Sequence, residues 1–504
     1  MTVKKTHTYT FLLLSVIIYG LTAVNSTGYH HPDEHFQIIE FAGLIDGWNY
    51  EFDLTWEYDA QIRPILQPMI ALSVFKLLGL FGVNDPFHLM LGLRVLTAIL
   101  ALFCITFFIR HFRTKLQPEY FTVFLFFSFL LWFLPAINVR FSSETWAGLM
   151  LMPAIVLLDR ETEKVRSGFI LAGVLLGLSF EFRFQMGIAL FSLLLWLVLI
   201  KKEKYINILY LFVGGLIVVA GCTLLDCWYY NDIVIAPWNY FKSNIVDGVA
   251  SNFGVSPWYY YLSKIVTRPT PLLGILILAS IMLCSVVNYK NIVVWCIVPF
   301  IVIHSLIPHK ELRFLFPIVN FIPFIVFMAF QYIIAKWKFK GGKTILYFLL
   351  IIIFSMNIGG VAMLCFKPAM FGSAETMAYL NKRKSNPSEK TNVYTIAWSN
   401  PYTIGTAKGL TARFYTNNNI KLCNLHDVVY SKENIILQDN DLVILMEINQ
   451  ERDYIEYLGF EVEHRSIPLW IEKMNIFYKV YPIYNTLLLY SKPNREYEAV
   501  DIEN

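Results

Sequence analysis

The chain has 504 residues, of which 56% are hydrophobic and 15% charged, with a net charge of +4; a typical soluble domain carries about 25% charged residues. Together with a mean hydropathy of +0.52, this excludes a soluble fold, which could not hide so much apolar surface, and points to a bilayer as the solvent. The net charge itself says little, because in such a chain the distribution of Lys and Arg matters more.

The apolar residues fall into blocks of bilayer length. Lys4 and Lys5 precede an apolar run, Tyr9–Val24. It reads as an uncleaved first span rather than a signal peptide, since no Ala-x-Ala cleavage site follows. Next comes Tyr29-His30-His31-Pro32-Asp33-Glu34-His35-Phe36-Gln37. Pro32 suits the first turn of a helix, and Asp33 and Glu34 favour its positive end. Phe36, Ile39, Phe41 and Leu44 then predict an amphipathic helix lying at the membrane interface as far as Trp48, with Asp33 facing water. Pro64–Phe81 is a further apolar stretch, interrupted by Pro68 and Lys76.

The predicted spans continue with Phe87–Ile109, Tyr120–Asn138, Thr145–Leu158, Gly168–Phe180, Met186–Ile200 and Ile206–Leu225. Pro271–Val287, Ile292–Leu306, Phe314–Ala335 and Thr344–Phe366 complete the series. The expected fold is therefore an all-α polytopic membrane protein of about eleven to thirteen spans. The range depends on whether Pro64–Phe81 crosses. From about Lys367 charged residues, Asn and Pro become frequent. Short strand-like runs appear at Val393–Trp398, Asp441–Met446 and Thr486–Tyr490. The expected division is a membrane module over residues 1–366 and a small α/β extramembrane domain over 367–504.

Basic loops stay on the cytoplasmic side. Lys4-Lys5, Arg110–Lys115, Arg160–Arg166, Lys201–Lys204 and Lys336–Lys343 agree with one another if Pro64–Phe81 does not fully cross. Asn25–Arg63, Val139–Glu144, Asp226–Thr270, Pro308–Arg313 and the tail then share the outer side. The seven cysteines are scattered without a Cys-x-x-Cys, so neither a zinc site nor a disulfide framework is expected.

The outer segments carry the candidate chemistry. A carboxylate at the membrane surface, such as Asp33, suits removal of a proton from an acceptor hydroxyl; the plainer reading is that Asp33 and Glu34 cap an interfacial helix. His309, Lys310, Glu311 and Arg313 sit between two spans, where charges are costly unless paired or functional. Arg offers a planar fork matched to phosphate oxygens; the alternative is a snorkelling interfacial cluster. Asp226 and Asn239, near Trp258, suit a sugar bound by polar groups over an aromatic face, and an interfacial aromatic belt is the competing account. Arg63 and Arg94 are buried-charge candidates. Arg140 with Glu144, and Glu181 with Arg183, read as local pairs. No Gly-rich phosphate loop is present, against direct use of a nucleotide sugar. The Asp-x-Asp of the tail, Asp439-Asn440-Asp441, reads as a turn before a strand.

The run His31-Pro32-Asp33-Glu34-His35-Phe36-Gln37, followed by Leu54-Thr55-Trp56-Glu57-Tyr58 and Arg63, resembles the opening of the GPI-anchor mannosyltransferases, most of all the enzyme that adds the third mannose. Arg140-Phe141-Ser142-Ser143-Glu144 is similar to that family's Arg, Ser, Glu motif. Asp226-Cys227-Trp228-Tyr229-Tyr230, Pro237-Trp238-Asn239-Tyr240 and Gly254-Val255-Ser256-Pro257-Trp258 resemble its long outer loop. His309-Lys310-Glu311-Leu312-Arg313-Phe314 resembles its His-Lys-Glu-x-Arg-Phe signature.

The resemblance implies a GT-C glycosyltransferase that moves mannose, with inversion, from a polyprenyl- or dolichyl-phosphate donor to a glycan or glycolipid acceptor. Asp33 would be the general base, and Glu34 would orient a partner or hold a metal. His309, Lys310, Glu311, Arg313, Arg63, Asp226, Asn239 and Trp258 would form the donor site. No cofactor is implied, with metal dependence left open, and no nucleic-acid partner is expected. Frequent Ile, Lys and Asn suggest a bacterial source. A bacterial host implies the inner membrane, a eukaryotic one the endoplasmic reticulum. A transporter or flippase of lipid-linked saccharides is the rival; it predicts charges near the membrane midplane, whereas here they gather at span ends.

Overall fold

The computed structural model describes residues 5–160, 165–336, 343–383, 391–396, 399–403, 410–416, 419–426, 437–467 and 486–493. Lys4, Trp398 and most of the predicted basic loops Arg160–Arg166 and Lys336–Lys343 lie outside them. The chain folds as two compact units. One comprises Met1–Ser26, Trp56–Asn84 and Leu89–Lys367, the other Thr27–Thr55, Asp85–His88 and Pro368–Asn504.

In the first unit a helix stands at every predicted span, from Lys5–Asn25 to Lys343–Cys365. Among the described residues four are each long and apolar enough to cross a bilayer alone: Pro86–Lys115, Phe184–Lys201, Tyr205–Tyr230 and Leu312–Lys336. Pro271–Val287 and Ile292–Leu306 turn through 119° about a short break, as two arms of a hairpin. Leu66–Gly79 has 14 residues, about 21 Å of helix at 1.5 Å per residue, short of a bilayer core of about 30 Å. Helix Tyr205–Tyr230 leaves Leu209, Phe212, Leu216, Ile217 and Leu224 more than half exposed. A helix that is apolar on its outer face in this way has lipid, not water, as its solvent.

Two predicted spans are broken, each for a local reason. Tyr120–Asn138 forms Phe121–Leu130 and Leu134–Asn138. The loop between them is held from outside: Asn357 accepts from the Trp132 N–H at 2.9 Å and donates to the Leu130 carbonyl at 2.7 Å. Phe314–Ala335 begins as a ten-residue 3₁₀ helix, Leu312–Phe321, containing Pro317, and becomes α-helical only at Ile322. Runs of 3₁₀ beyond a few residues are uncommon. This one is buttressed by a reciprocal pair of 2.9 Å hydrogen bonds between the Asn138 and Asn320 amides.

Glycines set two close helix contacts. A Cβ on Gly173 would lie 2.0 Å from the Leu211 carbonyl oxygen, and one on Gly214 would lie 2.1 Å from that of Ile170. Helices Val165–Phe182 and Tyr205–Tyr230 therefore touch backbone to backbone, as small residues permit in membranes. A Cβ on Gly148 would likewise meet Pro317 at 2.6 Å, which draws helix Ser143–Asp159 onto the 3₁₀ helix.

The second unit holds a five-stranded sheet: β1 (Thr391–Thr395), β2 (Ile420–Asn424), β3 (Leu442–Met446), β4 (Glu461–Arg465) and β5 (Leu487–Ser491). The order is β2-β1-β3-β5-β4; β1 pairs parallel with β2 and β3, and β5 antiparallel with β3 and β4. β3 and β5 are buried on both faces, consistent with their unbroken Leu, Val and Ile runs. Asp439-Asn440-Asp441 is the turn before β3. The Asp441 carboxylate accepts from the Gln438 N–H at 2.8 Å and from the Asn392 amide at 2.9 Å.

The segment after Thr27 departs from the predicted interfacial helix. It forms a short helix, Pro32–Phe36, and a second, Ile39–Asp46, which ends on Gly47 in the left-handed region. Ile38 through Gly43 are buried all round, Glu40 included. A continuous amphipathic helix requires one wet face; here the turn 413–415 covers that face, with Phe414 against Trp48 and Tyr415 against His35.

Candidate functional site

The predicted site residues fall into three groups, two in the first unit and one in the second. The first group is built on the loop after Ile292–Leu306. Lys310 donates to the carbonyls of Ser256 at 2.8 Å, Pro308 at 3.4 Å, and Ile307. It thus stitches its own loop to 254–256, and burial holds its ammonium below the usual lysine range. His309 joins this seam through Nδ1, 2.9 Å from the Gly254 carbonyl.

Beyond the seam, Arg313 grips Glu311 in a fork, Nε at 2.7 Å and Nη2 at 3.0 Å. Its Nη1 lies 3.1 Å from Glu144, and Arg183 reaches the same Glu144 oxygen at 3.3 Å. His309 Nε2 is 3.1 Å from Glu311. The Arg183 guanidinium lies over the Phe314 ring, and Arg140 over Phe316, at 4.9 and 5.0 Å. Arg140 is buried deeply enough to be pushed down to about 10; Glu144 opposes that fall and the Arg313 charge adds to it. Three guanidiniums and one ammonium thus meet two carboxylates. The excess is positive, and where its members are buried an added anion is held more strongly than in water.

Sequence reasoning named Lys310, Arg313 and Glu311 but took Arg183 and Glu144 as members of local pairs. Glu144, within electrostatic reach of Arg140, also faces across to Arg183 and Arg313. Arg183 does not pair with Glu181; its Nε donates to Gln185 at 2.7 Å, and Gln185 in turn donates to the Tyr240 hydroxyl at 2.9 Å. The signal available was one of position: both lie at span ends, where i,i+4 partners leave room for tertiary ones.

The second group surrounds the segment Gln61–Ile65. Arg63 Nη2 is 3.3 Å from Glu57, and the Arg63 carbonyl accepts from the Tyr230 hydroxyl at 2.9 Å. Asn239 donates to the Gln61 carbonyl at 3.3 Å. Asp226, 1% exposed, accepts the Ile65 N–H at 2.8 Å through one oxygen, while its other oxygen is buried with no hydrogen-bond partner. Glu181, also 1% exposed, lies within electrostatic reach of Asp226. Asp226, Asn239 and Arg63 therefore shape a loop together. Trp258 is set apart from both groups in its contacts and is 64% exposed. Arg94 ties helix Pro86–Phe112 to the first helix through the Ala23 carbonyl at 2.6 Å.

The third group, in the second unit, is the helix Pro32–Phe36. His31 is its N-cap, with Nδ1 accepting the Asp33 N–H at 3.2 Å. A nitrogen that accepts there has no proton to give the Asp33 carboxylate, 3.5 Å away. Glu34 accepts the His30 N–H at 3.1 Å and is buried, so it closes the helix entrance as a capping carboxylate does. Asp33 is a quarter exposed, more than Glu34, and sits at the helix start. Among the described residues no three His, Cys, Asp or Glu side chains gather as a metal ion would need.

The Alg9-like mannosyltransferase family model matches residues 9–407. Over 319 residues the chain is 27% identical to GPI mannosyltransferase 3 of Yarrowia lipolytica, covering 62% of this chain and 60% of that protein. Mannosyltransferase APTG1 of Arabidopsis thaliana is 26% identical over 342 residues, with 63% and 57% covered. GPI alpha-1,2-mannosyltransferase 3 of Danio rerio is 23% identical over 323 residues, with 63% and 58% covered. The chain spans less than two thirds of the length of each of these relatives. Among solved structures, ArnT from Cupriavidus metallidurans, bound to undecaprenyl phosphate, superimposes with a TM-score of 0.57 at 9% identity, over 96% of this chain and 97% of that one. ArnT thus shares the fold of this chain. The match over most of the sequence, with the predicted motifs inside it, places the chain: it belongs to the Alg9-like mannosyltransferase family.

Proposed function

We propose that this chain transfers mannose, with inversion, from a polyprenyl- or dolichyl-phosphate donor to a glycan or glycolipid acceptor. The observation that carries the reading is the cluster of half-buried Arg140 with buried Arg183 and Arg313, whose positive charge exceeds that of Glu144 and Glu311. A departing lipid phosphate needs such fixed positive charge and little acid help. Lys310 already serves three carbonyls, so it contributes charge and loop shape while the arginines make the direct contacts. ArnT, whose fold this chain shares, was solved with a polyprenyl phosphate of the class this reading requires.

Asp33 is the base that takes the acceptor hydroxyl's proton; the hydroxyl oxygen attacks the anomeric carbon and the phosphate leaves from the opposite face. A β-linked donor then gives an α-linked product. Glu34 and His31 hold the helix that presents Asp33. Arg63, Asp226 and Asn239 shape the Gln61–Ile65 loop for the sugar, and Trp258 offers it an aromatic face. Residues 367–504 lie on the outer side with the motif loops, at the inner membrane of a bacterium or the endoplasmic reticulum of a eukaryote. The test is mass spectrometry of saccharide-lipids from cells with and without the gene. Loss should leave an acceptor one hexose short; an unchanged glycolipid profile would sink the reading.

A further inference from the structure

The helix carrying Asp33 is anchored by a buried polar device that its proposed chemistry does not use. His35, fully buried, lies between the rings of Tyr29 and Tyr415, both near-parallel to it, with centroids at 4.9 and 5.2 Å. Its Nε2 is 2.7 Å from the Glu40 carboxylate, itself fully buried. The same Glu40 oxygen accepts the Phe414 N–H at 3.1 Å, and the other accepts the Asn49 amide at 2.8 Å. Glu40 therefore joins three stretches of chain: the Asp33 helix, the loop at Asn49 and the turn 413–415. The helix has only five residues, too few to hold its own direction, so its orientation comes from these contacts.

We propose that Glu40, acting through His35, is a positioning residue for Asp33, and that the turn 413–415 locks the arrangement. The C-terminal part of the chain thus completes the proposed base rather than merely following it. A buried carboxylate desolvated at this cost is expected where it fixes one geometry; misplacing a reacting group by about 1 Å costs on the order of 100-fold in rate. The inference rests on the assignment of Asp33 as base.

The test uses the full chain, a synthetic β-mannosyl phosphate of a polyprenol and a mannose-terminated glycolipid. Glu40→Ala should lower kcat by about 10–100-fold with the donor KM unchanged. Glu40→Gln, whose amide oxygen can still accept from His35 and from the Phe414 N–H, should lose less than Glu40→Ala. Ile455→Ala, in the core beneath the sheet, should destabilise the same unit without moving kcat below its melting temperature. Should Glu40→Ala fail to fold, Asn49→Ala removes one contact and should shift kcat in the same direction. Wild-type kcat in the Glu40→Ala or Asn49→Ala variant, or an equal fall in Ile455→Ala, overturns the inference. Asp33→Asn is measured beside them: if it is as active as wild type, the base assignment fails, whereas an inactive Asp33→Asn with a fully active Glu40→Ala removes only the positioning role.

Discussion

At the scale of single residues, two side chains carry opposite halves of the proposed transfer. Asp33→Asn keeps the size and hydrogen bonding of the side chain and removes its basicity. General-base catalysis typically contributes about 10²–10⁴-fold, so turnover should fall by that order while the protein folds and binds donor; near-normal turnover in folded protein would exclude Asp33 as base. Glu34→Gln should lose less, since Gln can still accept the His30 N–H that Glu34 takes at 3.1 Å. Arg313 raises a question of geometry rather than charge. Its fork engages Glu311 through two nitrogens and Glu144 through a third. Lysine supplies the charge but not the planar fork. Arg313→Ala should therefore abolish donor use, and Arg313→Lys should restore only part of it, read as kcat/KM for the donor. A lysine variant with full activity would show that charge alone suffices.

At the scale of elements, the contact between Val165–Phe182 and Tyr205–Tyr230 should be the least tolerant of bulk. Gly214→Leu forces a side chain into a space where even a Cβ would lie 2.1 Å from a carbonyl oxygen. Over-packing costs typically about 1–3 kcal/mol, and here the backbone itself must move. The thermal midpoint in detergent should drop by several degrees, whereas Gly168→Leu, at a position where a Cβ would meet no atom within 4 Å, should leave it unchanged. Equal midpoints for the two would show that the helices do not touch. This contact also marks what sequence could and could not convey. A helix stands at each predicted span because a long apolar run in lipid must satisfy its backbone groups internally. The breaks at Leu131–Phe133 and before Ile322 were not legible, because Asn357 and the Asn138–Asn320 pair impose them from distant parts of the chain. β2 was missed because its run, Ile420–Asn424, mixes Lys and Asn with only partly buried apolar residues. The candidate site shows in the sequence as motifs but not as partnerships. Arg313 and Glu144 are 169 positions apart, and nothing local in either segment names the other. Nothing local in sequence marks Glu40, whose carboxylate accepts the Phe414 N–H from a segment 374 positions away.

At the scale of the whole molecule, the sidedness of the loops decides whether one reaction can use them. The basic Lys201–Lys204 turn, exposed at Lys202 and Lys204, belongs inside. From there helix Tyr205–Tyr230 leads outward, with 26 residues, about 39 Å at 1.5 Å per residue and enough to cross a hydrocarbon core of about 30 Å. The loop after it, which carries Asn239 and Trp258, must then emerge outside. Between Lys336 and the tail lies one more long apolar helix, Lys343–Cys365, so the tail should emerge on that side too. Single cysteines at Lys202, Ser251 and Tyr457, all exposed, report this directly when the half-buried Cys227 and Cys423 are first changed to Ser. A membrane-impermeant maleimide added to sealed right-side-out vesicles should label Ser251→Cys and Tyr457→Cys, and should label Lys202→Cys only after permeabilisation. Labelling of Ser251→Cys and Tyr457→Cys from opposite sides would separate Trp258 and Asn239 from the tail by a membrane. No single transfer reaction at one membrane face could then use both, and the proposed mechanism would fall with the topology.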